Sequence, residues 1–173
     1  MRKIGIRKLT PEAFKPYGTY GNILNPEGNP LSAKRDDIIT FYPDMVQSKL
    51  GCSSNASFSA CIIKAGRPWI VQNTEYHDYC SETILITGGD YIMHVATARG
   101  SSEMPYDDIE AFLVPDGTVI MCNPGVWHQA GFPYKCEQVN ILCVLPERTY
   151  NNDCVFIEIP KDKQIEVIDE FID

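Results

Sequence analysis

The chain has 173 residues, 44% of them hydrophobic and 22% charged, which suits one domain with a full core and is too short for two ordinary ones. A formal net charge of −8 argues against a nucleic-acid partner, whose phosphates demand clustered Lys and Arg. No apolar run approaches the roughly 20 residues that cross a bilayer, and Met1-Arg2-Lys3 leads into no signal-like apolar stretch, so no membrane partner and a cytoplasmic address are expected.

In chain order, Leu9 to Gly18 predicts a short capped helix: Thr10 suits the cap, Pro11 the first helical position, and Pro16 and Gly18 stop it. Asn25 to Asp37 is rich in Pro, Gly, Ser and Asn and reads as loop. From Ile38 the pattern is all-β, with strands expected over 38–42, 56–64, 69–74, 82–87, 91–97, 109–114, 118–122, 137–145 and 154–158. Gly66, Gly88-Gly89, Pro124-Gly125 and Gly131 punctuate them, and Val114 to Val119 carries a hairpin-type turn around Pro115-Asp116-Gly117. Short strands at this spacing mark a two-layer sandwich or barrel. At the end, Ile165, Val167, Ile168 and Phe171 fall close to one helical face, which predicts a short amphipathic helix over Lys161 to Asp173. The seven cysteines, at 52, 61, 80, 122, 136, 143 and 154, are odd in number and include no CxxC pair, so they read as reduced thiols.

Chemistry concentrates in E-x-H-x4-E-x6-G, spelled by Glu75, His77, Glu82 and Gly89, and in the P-G-x-x-H of Pro124, Gly125 and His128. Two imidazoles and two carboxylates, if they converge, suit a divalent Mn, Fe, Co, Ni or Zn ion. His77, Glu82 and His128 are the sharper ligand candidates. Glu75 shares a direction with His77 along an extended stretch and stands as ligand, acid–base group or solvated rim carboxylate. Cys80 reads as a half-buried bystander, His94 as a core histidine with one satisfied nitrogen, and Trp127 as packing. Lys64 is the favoured cation for a substrate carboxylate, ahead of Arg67 and Arg99. No G-x-S-x-G, P-loop or G-x-G-x-x-G occurs, so serine hydrolysis and nucleotide binding find no support.

These residues resemble the cupin superfamily. Its first motif, G-x5-H-x-H-x3-4-E-x6-G, is echoed with Glu75 where the first His is expected. Its second, G-x5-P-x-G-x2-H-x3-N, is echoed by Gly117, Gly125 and His128, with Pro124 one place late and Phe132 in place of Asn. More specifically the chain resembles the ureidoglycolate lyase family, through Leu9 to Phe14 with Tyr17-Gly18, through Glu75-x-His77, through Asn123 to His128, and through Asn152-Asp153-Cys154 before Ile159-Pro160. That family usually carries Gln where this chain has Glu82.

The resemblance implies a cupin-type double-stranded β-helix, a jelly-roll barrel with short N- and C-terminal helices, commonly a homodimer. It also implies release of urea from ureidoglycolate, leaving glyoxylate, in purine or allantoin catabolism. A metal on His77, Glu82 and His128 would hold the hydroxyl and carboxylate of the substrate, Glu75 would move the proton, and Lys64 would neutralise the carboxylate. Another metal-dependent cupin enzyme (a sugar isomerase, epimerase or dioxygenase) and a non-catalytic small-molecule-binding barrel stand as alternatives.

Overall fold

The computed structural model describes residues 1–27, 38–51 and 53–172. In chain order the elements are β1 (Arg2–Lys8), α1 (Pro11–Phe14), β2 (Gly18–Asn22), β3 (Ala56–Lys64), β4 (Ile70–Val71), β5 (Asn73–Tyr76), β6 (Glu82–Thr87), β7 (Asp90–Ala96), a 3₁₀ turn at Tyr106–Asp108, β8 (Glu110–Val114), β9 (Thr118–Cys122), β10 (Trp127–Tyr134), β11 (Gln138–Pro146), α2 (Thr149–Asn152), β12 (Val155–Glu158) and β13 (Ile165–Ile172).

An eight-stranded sheet runs β12-β5-β10-β7-β8-β1-β13-β4 and a five-stranded sheet runs β2-β9-β6-β11-β3. Ile84, Ile86, Ile120, Val139 and Ile141 of the smaller sheet interdigitate with Tyr91, Met93, Val95, Phe112 and Val114 of the larger, forming one core between the layers. A second core joins Ile4, Ile6, Val71, Ile92, Ala111, Trp127, Phe132, Ile165 and Val167, all on strands of the larger sheet, so that sheet curls onto itself. Strand alternation divides β7 between them: Tyr91, Met93 and Val95 face the first core, Ile92 and Ala96 the second. The result is the expected all-β barrel.

The capped start is as the sequence predicts: the Thr10 hydroxyl accepts from Ala13 N at 3.2 Å, with Pro11 in the first turn. The predicted loop Asn25 to Asp37 lies largely outside the described residues. Four expectations are corrected. Residues 38–42 form no strand beyond an isolated bridge at Phe41. The helix expected over Lys161 to Asp173 is not formed by its described residues, which end at 172; Ile165 to Ile172 extends as β13, parallel to β1, with Ile4 opposite Val167. Its β-branched residues serve either structure locally, and the parallel partner at the other end of the chain decides.

The turn at Pro115-Asp116-Gly117 closes as expected, with Thr118 N donating to Pro115 O at 3.2 Å. It is no hairpin, however, because β8 belongs to the larger sheet and β9 to the smaller. The β6–β7 and β9–β10 turns likewise pass between layers. Finally, β1, β2 and β10 are strands the periodicity did not predict. In β10, Gly131 and Pro133 imitate a break.

Candidate metal centre

Those crossings between layers assemble the site. Glu75 lies in β5, with Thr74 and Tyr76 buried on the opposite face of the strand. His128 in β10 is directly opposite Glu75 in the β5–β10 ladder. His77 follows the end of β5, and Glu82 opens β6 on the facing sheet. The two sequence motifs are tied together where Gly125 N donates to His77 O at 2.6 Å. Gly125 has φ of 80°, and a Cβ there would lie 2.9 Å from that of Ala98, so the turn requires glycine.

One potential ligand atom from each of Glu75, His77, Glu82 and His128 lies within 4.8 Å of the other three. His128 Nε2 is 2.6 Å from Glu82 Oε2, and His77 Nε2 is 3.6 Å from the same oxygen. Both histidines and Glu82 are buried, and Glu75 is partly so. The far side of each ring is occupied: His77 Nδ1 lies 2.6 Å from the Asp153 carbonyl and His128 Nδ1 2.8 Å from the Val126 carbonyl. A carbonyl only accepts, so each Nδ1 carries a hydrogen, and each ring turns its Nε2 towards Glu82. Lone pairs facing a carboxylate repel unless a proton or a cation stands between them.

Burial opposes charge on Glu82, yet the hydrogen bond and charge of His128, and after it the neighbouring His77, outweigh it and hold the carboxyl well below its ordinary range. Burial likewise opposes protonation of His128, and the bond and charge from Glu82 prevail and raise it. His77 Nε2 has no hydrogen-bond partner among the described residues. Donor chemistry, outward-fixed Nδ1–H groups and this orphaned nitrogen together fit a divalent transition ion.

Supporting contacts surround the cluster. The Asp153 carboxylate accepts from the backbone N–H groups of Asp78, Tyr79 and Cys80, at 2.7, 3.0 and 3.2 Å, and so shapes the loop between His77 and Glu82. Cys154 Sγ donates to Glu75 Oε2 at 3.2 Å, its thiol pushed up to about 12 chiefly by burial. A cavity of about 130 Å³ opens onto the cluster between Glu75, Glu82, His128, Tyr91, Met93 and Tyr150. A larger hollow, about 400 Å³ and bounded by Tyr79, Arg148 and Asp153, includes none of the four cluster residues.

The other sequence-predicted residues distribute as follows. Lys64 is exposed and is not in the cavity wall: Cys61 and Ile63 face inwards, so position 64 faces out. Arg67 donates to the Ala130 and Gly131 carbonyls and lies 4.6 Å over the Phe132 ring. Arg99 pairs with Asp108. Cys80 is fully rather than half buried, and its thiol is pushed up to about 12, first by burial and then by Asp153, which makes it inert. Trp127 packs edge-on against Tyr76 at 4.4 Å in the second core. His94 is a core histidine, but neither nitrogen has a partner among the described residues, where one was expected. Sequence reasoning gave no role to Asp153 or Tyr91; the Asn152-Asp153-Cys154 match was the one available signal for the first.

The fold and the site thus define an all-β barrel in which two histidines and two carboxylates converge between the layers and could hold a metal ion. The family model for ureidoglycolate lyase matches residues 1–166, and the chain belongs to that family. No curated protein matches the chain. Family membership supports a lyase role in purine catabolism. Among the described residues no helix is long and apolar enough to cross a membrane.

Proposed function

We propose that this protein is a metal-dependent carbon–nitrogen lyase that cleaves ureidoglycolate, or a closely similar small hydroxy acid, to glyoxylate and urea. The observation that carries the reading is the convergence of ligand atoms from Glu75, His77, Glu82 and His128, all within 4.8 Å of one another, as donors around one cation would stand. His77, Glu82 and His128 would hold that ion, with nickel, manganese, iron, cobalt and zinc all compatible. When bound, it supplies Lewis acidity and positive charge to a hydroxyl and carboxylate. That charge is needed, because the cavity wall holds Glu75 and Glu82 and, among the described residues, neither Lys nor Arg. Lys64, exposed on the outside of β3, is replaced in this role by the ion itself.

Ureidoglycolate carries hydroxyl, carboxylate and urea nitrogen on one carbon. Cleavage transfers the hydroxyl proton to Glu75, forms the C=O bond as the C–N bond breaks, and returns the proton to the departing urea nitrogen. Glu75 is suited to both transfers because it borders the cavity and is less buried than Glu82. Such assistance is typically worth about 10²–10⁴-fold. A cavity of about 130 Å³ suits a molecule of few heavy atoms and disfavours sugars as substrates. The homodimer implied by the family resemblance is part of this proposal, and light scattering on the purified protein tests it.

The deciding experiment strips the protein with a chelator, reloads it with each ion in turn, and follows glyoxylate release from ureidoglycolate. Activity should vanish and return with metal. Full turnover in the stripped protein, or oxygen uptake or sugar isomerisation in place of glyoxylate release, overturns the reading.

A further inference from the structure

The proposed lyase chemistry leaves Tyr91, Arg67 and an irregularity in β10 without a role. Strands β10 and β7 keep register through Gln129 opposite His94 and resume it at Phe132 opposite Ile92, so Ala130 and Gly131 bulge from the ladder. A bulge re-aims backbone groups, and this one sends Gly131 N–H to Tyr91 Oη at 2.5 Å. Only glycine fits: a Cβ at position 131 would lie 1.9 Å from the Ile92 carbonyl oxygen and 3.1 Å from Tyr91 Cζ. The bulge carbonyls are held in turn by Arg67, which donates to Gly131 O at 2.7 Å and to Ala130 O at 3.3 Å. The bulge is thus clamped through its carbonyls by Arg67 and through its N–H by Tyr91.

Tyr91 is fully buried and lines the same cavity as Glu82 and His128. Its oxygen accepts from Gly131, and its own hydrogen has no acceptor among the described residues. Burial holds the phenol well above its ordinary value, so that hydrogen stays in place at neutral pH. A buried donor without an acceptor is costly, and the open direction from this ring is the cavity.

We propose that Tyr91 donates a hydrogen bond to the substrate carboxylate at the inner end of the cavity, with Arg67 as a positioning residue acting through the β10 bulge. The assignment rests on the small-carboxylate reading above. Ile84, Met93, Ile141 and Cys143 are the other buried hydrophobic residues of the cavity wall. That end therefore offers an O–H and no free acceptor. A carboxylate accepts only, so it matches. A ureido group brings N–H donors that need acceptors, and it fits the more open rim beside Glu75 and the exposed Tyr150.

The test is calorimetric titration of the manganese-loaded protein with glycolate, alongside steady-state kinetics on ureidoglycolate. Tyr91→Phe keeps the ring and should weaken glycolate binding about 10- to 100-fold, as expected for a lost hydrogen bond to a charged group. KM should rise with kcat nearly unchanged, since the contact serves ground and transition states alike. Arg67→Gln should weaken binding about threefold and add nothing on top of Tyr91→Phe, because it acts through the same hydroxyl; Arg67→Lys should recover part of the loss. If Tyr91→Phe does not fold, the Arg67→Gln and Arg67→Lys pair decides. Unchanged glycolate binding in both Tyr91→Phe and Arg67→Gln, independent effects of the two changes, or no glycolate binding by the wild type overturns the assignment. A wild type that binds glycolate, weakens with Tyr91→Phe and yet releases no glyoxylate sinks the lyase reading and leaves Tyr91 in place.

Discussion

All three histidines of this chain are buried, yet they live in opposite circumstances. His77 and His128 each rest Nδ1 against a backbone carbonyl and aim Nε2 at Glu82 in the cavity between the sheets. His94 points into the second core of the larger sheet, where neither nitrogen finds a partner among the described residues. Burial alone therefore says nothing about function. What separates a candidate ligand from a core residue is the hydrogen bond on the far side of the ring, which fixes its orientation and aims the other nitrogen at a shared point.

The largest effect should come from breaking the organised pair. His77→Ala combined with His128→Ala removes both nitrogen donors and leaves Glu82 buried without its partners. Bound metal, measured by elemental analysis, should fall to background, and lyase activity should drop by about 10³-fold or more, beyond the 10- to 100-fold typical of losing an outer-shell partner. Retained stoichiometric metal would mean that the cluster is not the metal site. Next in size, Glu82→Gln tests the departure from the usual residue of the family. The carboxylate is held ionised well below its ordinary range, and a neutral amide gives up that negative charge. Metal affinity should fall about 10- to 100-fold. An unchanged affinity would show that Glu82 serves the histidines and not the ion.

The other side of the comparison is a stability experiment. Burial, helped by the charges of His128 and Arg67, pushes His94 down to about 3 from its ordinary 6.5. The folded state keeps this ring neutral while the unfolded chain protonates it. Stability is therefore complete above about pH 6.5 and is lost as pH falls towards 3, with a limiting slope of about 1.4 kcal/mol per pH unit for one proton. Denaturant unfolding across that window should show His94→Leu less acid-sensitive than the wild type. At pH 7 the variant should be equally stable or better, since two unpaired buried polar atoms disappear. The contrast between the two proteins isolates His94 from the titration of Glu82 and His128. Equal slopes would mean that the ring has a partner in solution.

The sequence carried the strands whose own residues alternate and the candidate ligands whose spacing is local. Glu75, His77 and Glu82 lie within one loop's reach, and His128 sits behind a turn that Gly125 marks. Strands β1 and β13 were opaque because each is defined by the other, with Ile4 meeting Val167 from the opposite end of the chain. A turn signal such as Pro115-Asp116-Gly117 encodes a reversal and not the layer the chain enters next, so crossings read as hairpins. Asp153 and Tyr91 reach the site only through tertiary contacts, the first across the gap from α2 and the second through a bulge that Gly131 and Pro133 disguise as a break.

The smallest expected effect bears on the same problem of facing. Lys64 is charged, precedes the metal motif and was the natural partner for a substrate carboxylate. Its place in β3 follows from parity: Cys61 lines the cavity and Ile63 enters the core, so Lys64 projects to solvent beyond the wall. Lys64→Ala should therefore leave KM and kcat within about twofold of the wild type and shift stability by no more than about 0.5 kcal/mol. A large rise in KM would require the strand to present its other face during turnover. Because a one-residue slip in β3 would also expel Cys61 and Ile63 from the interior, that result would come with a loss of stability measurable in the same denaturation experiment.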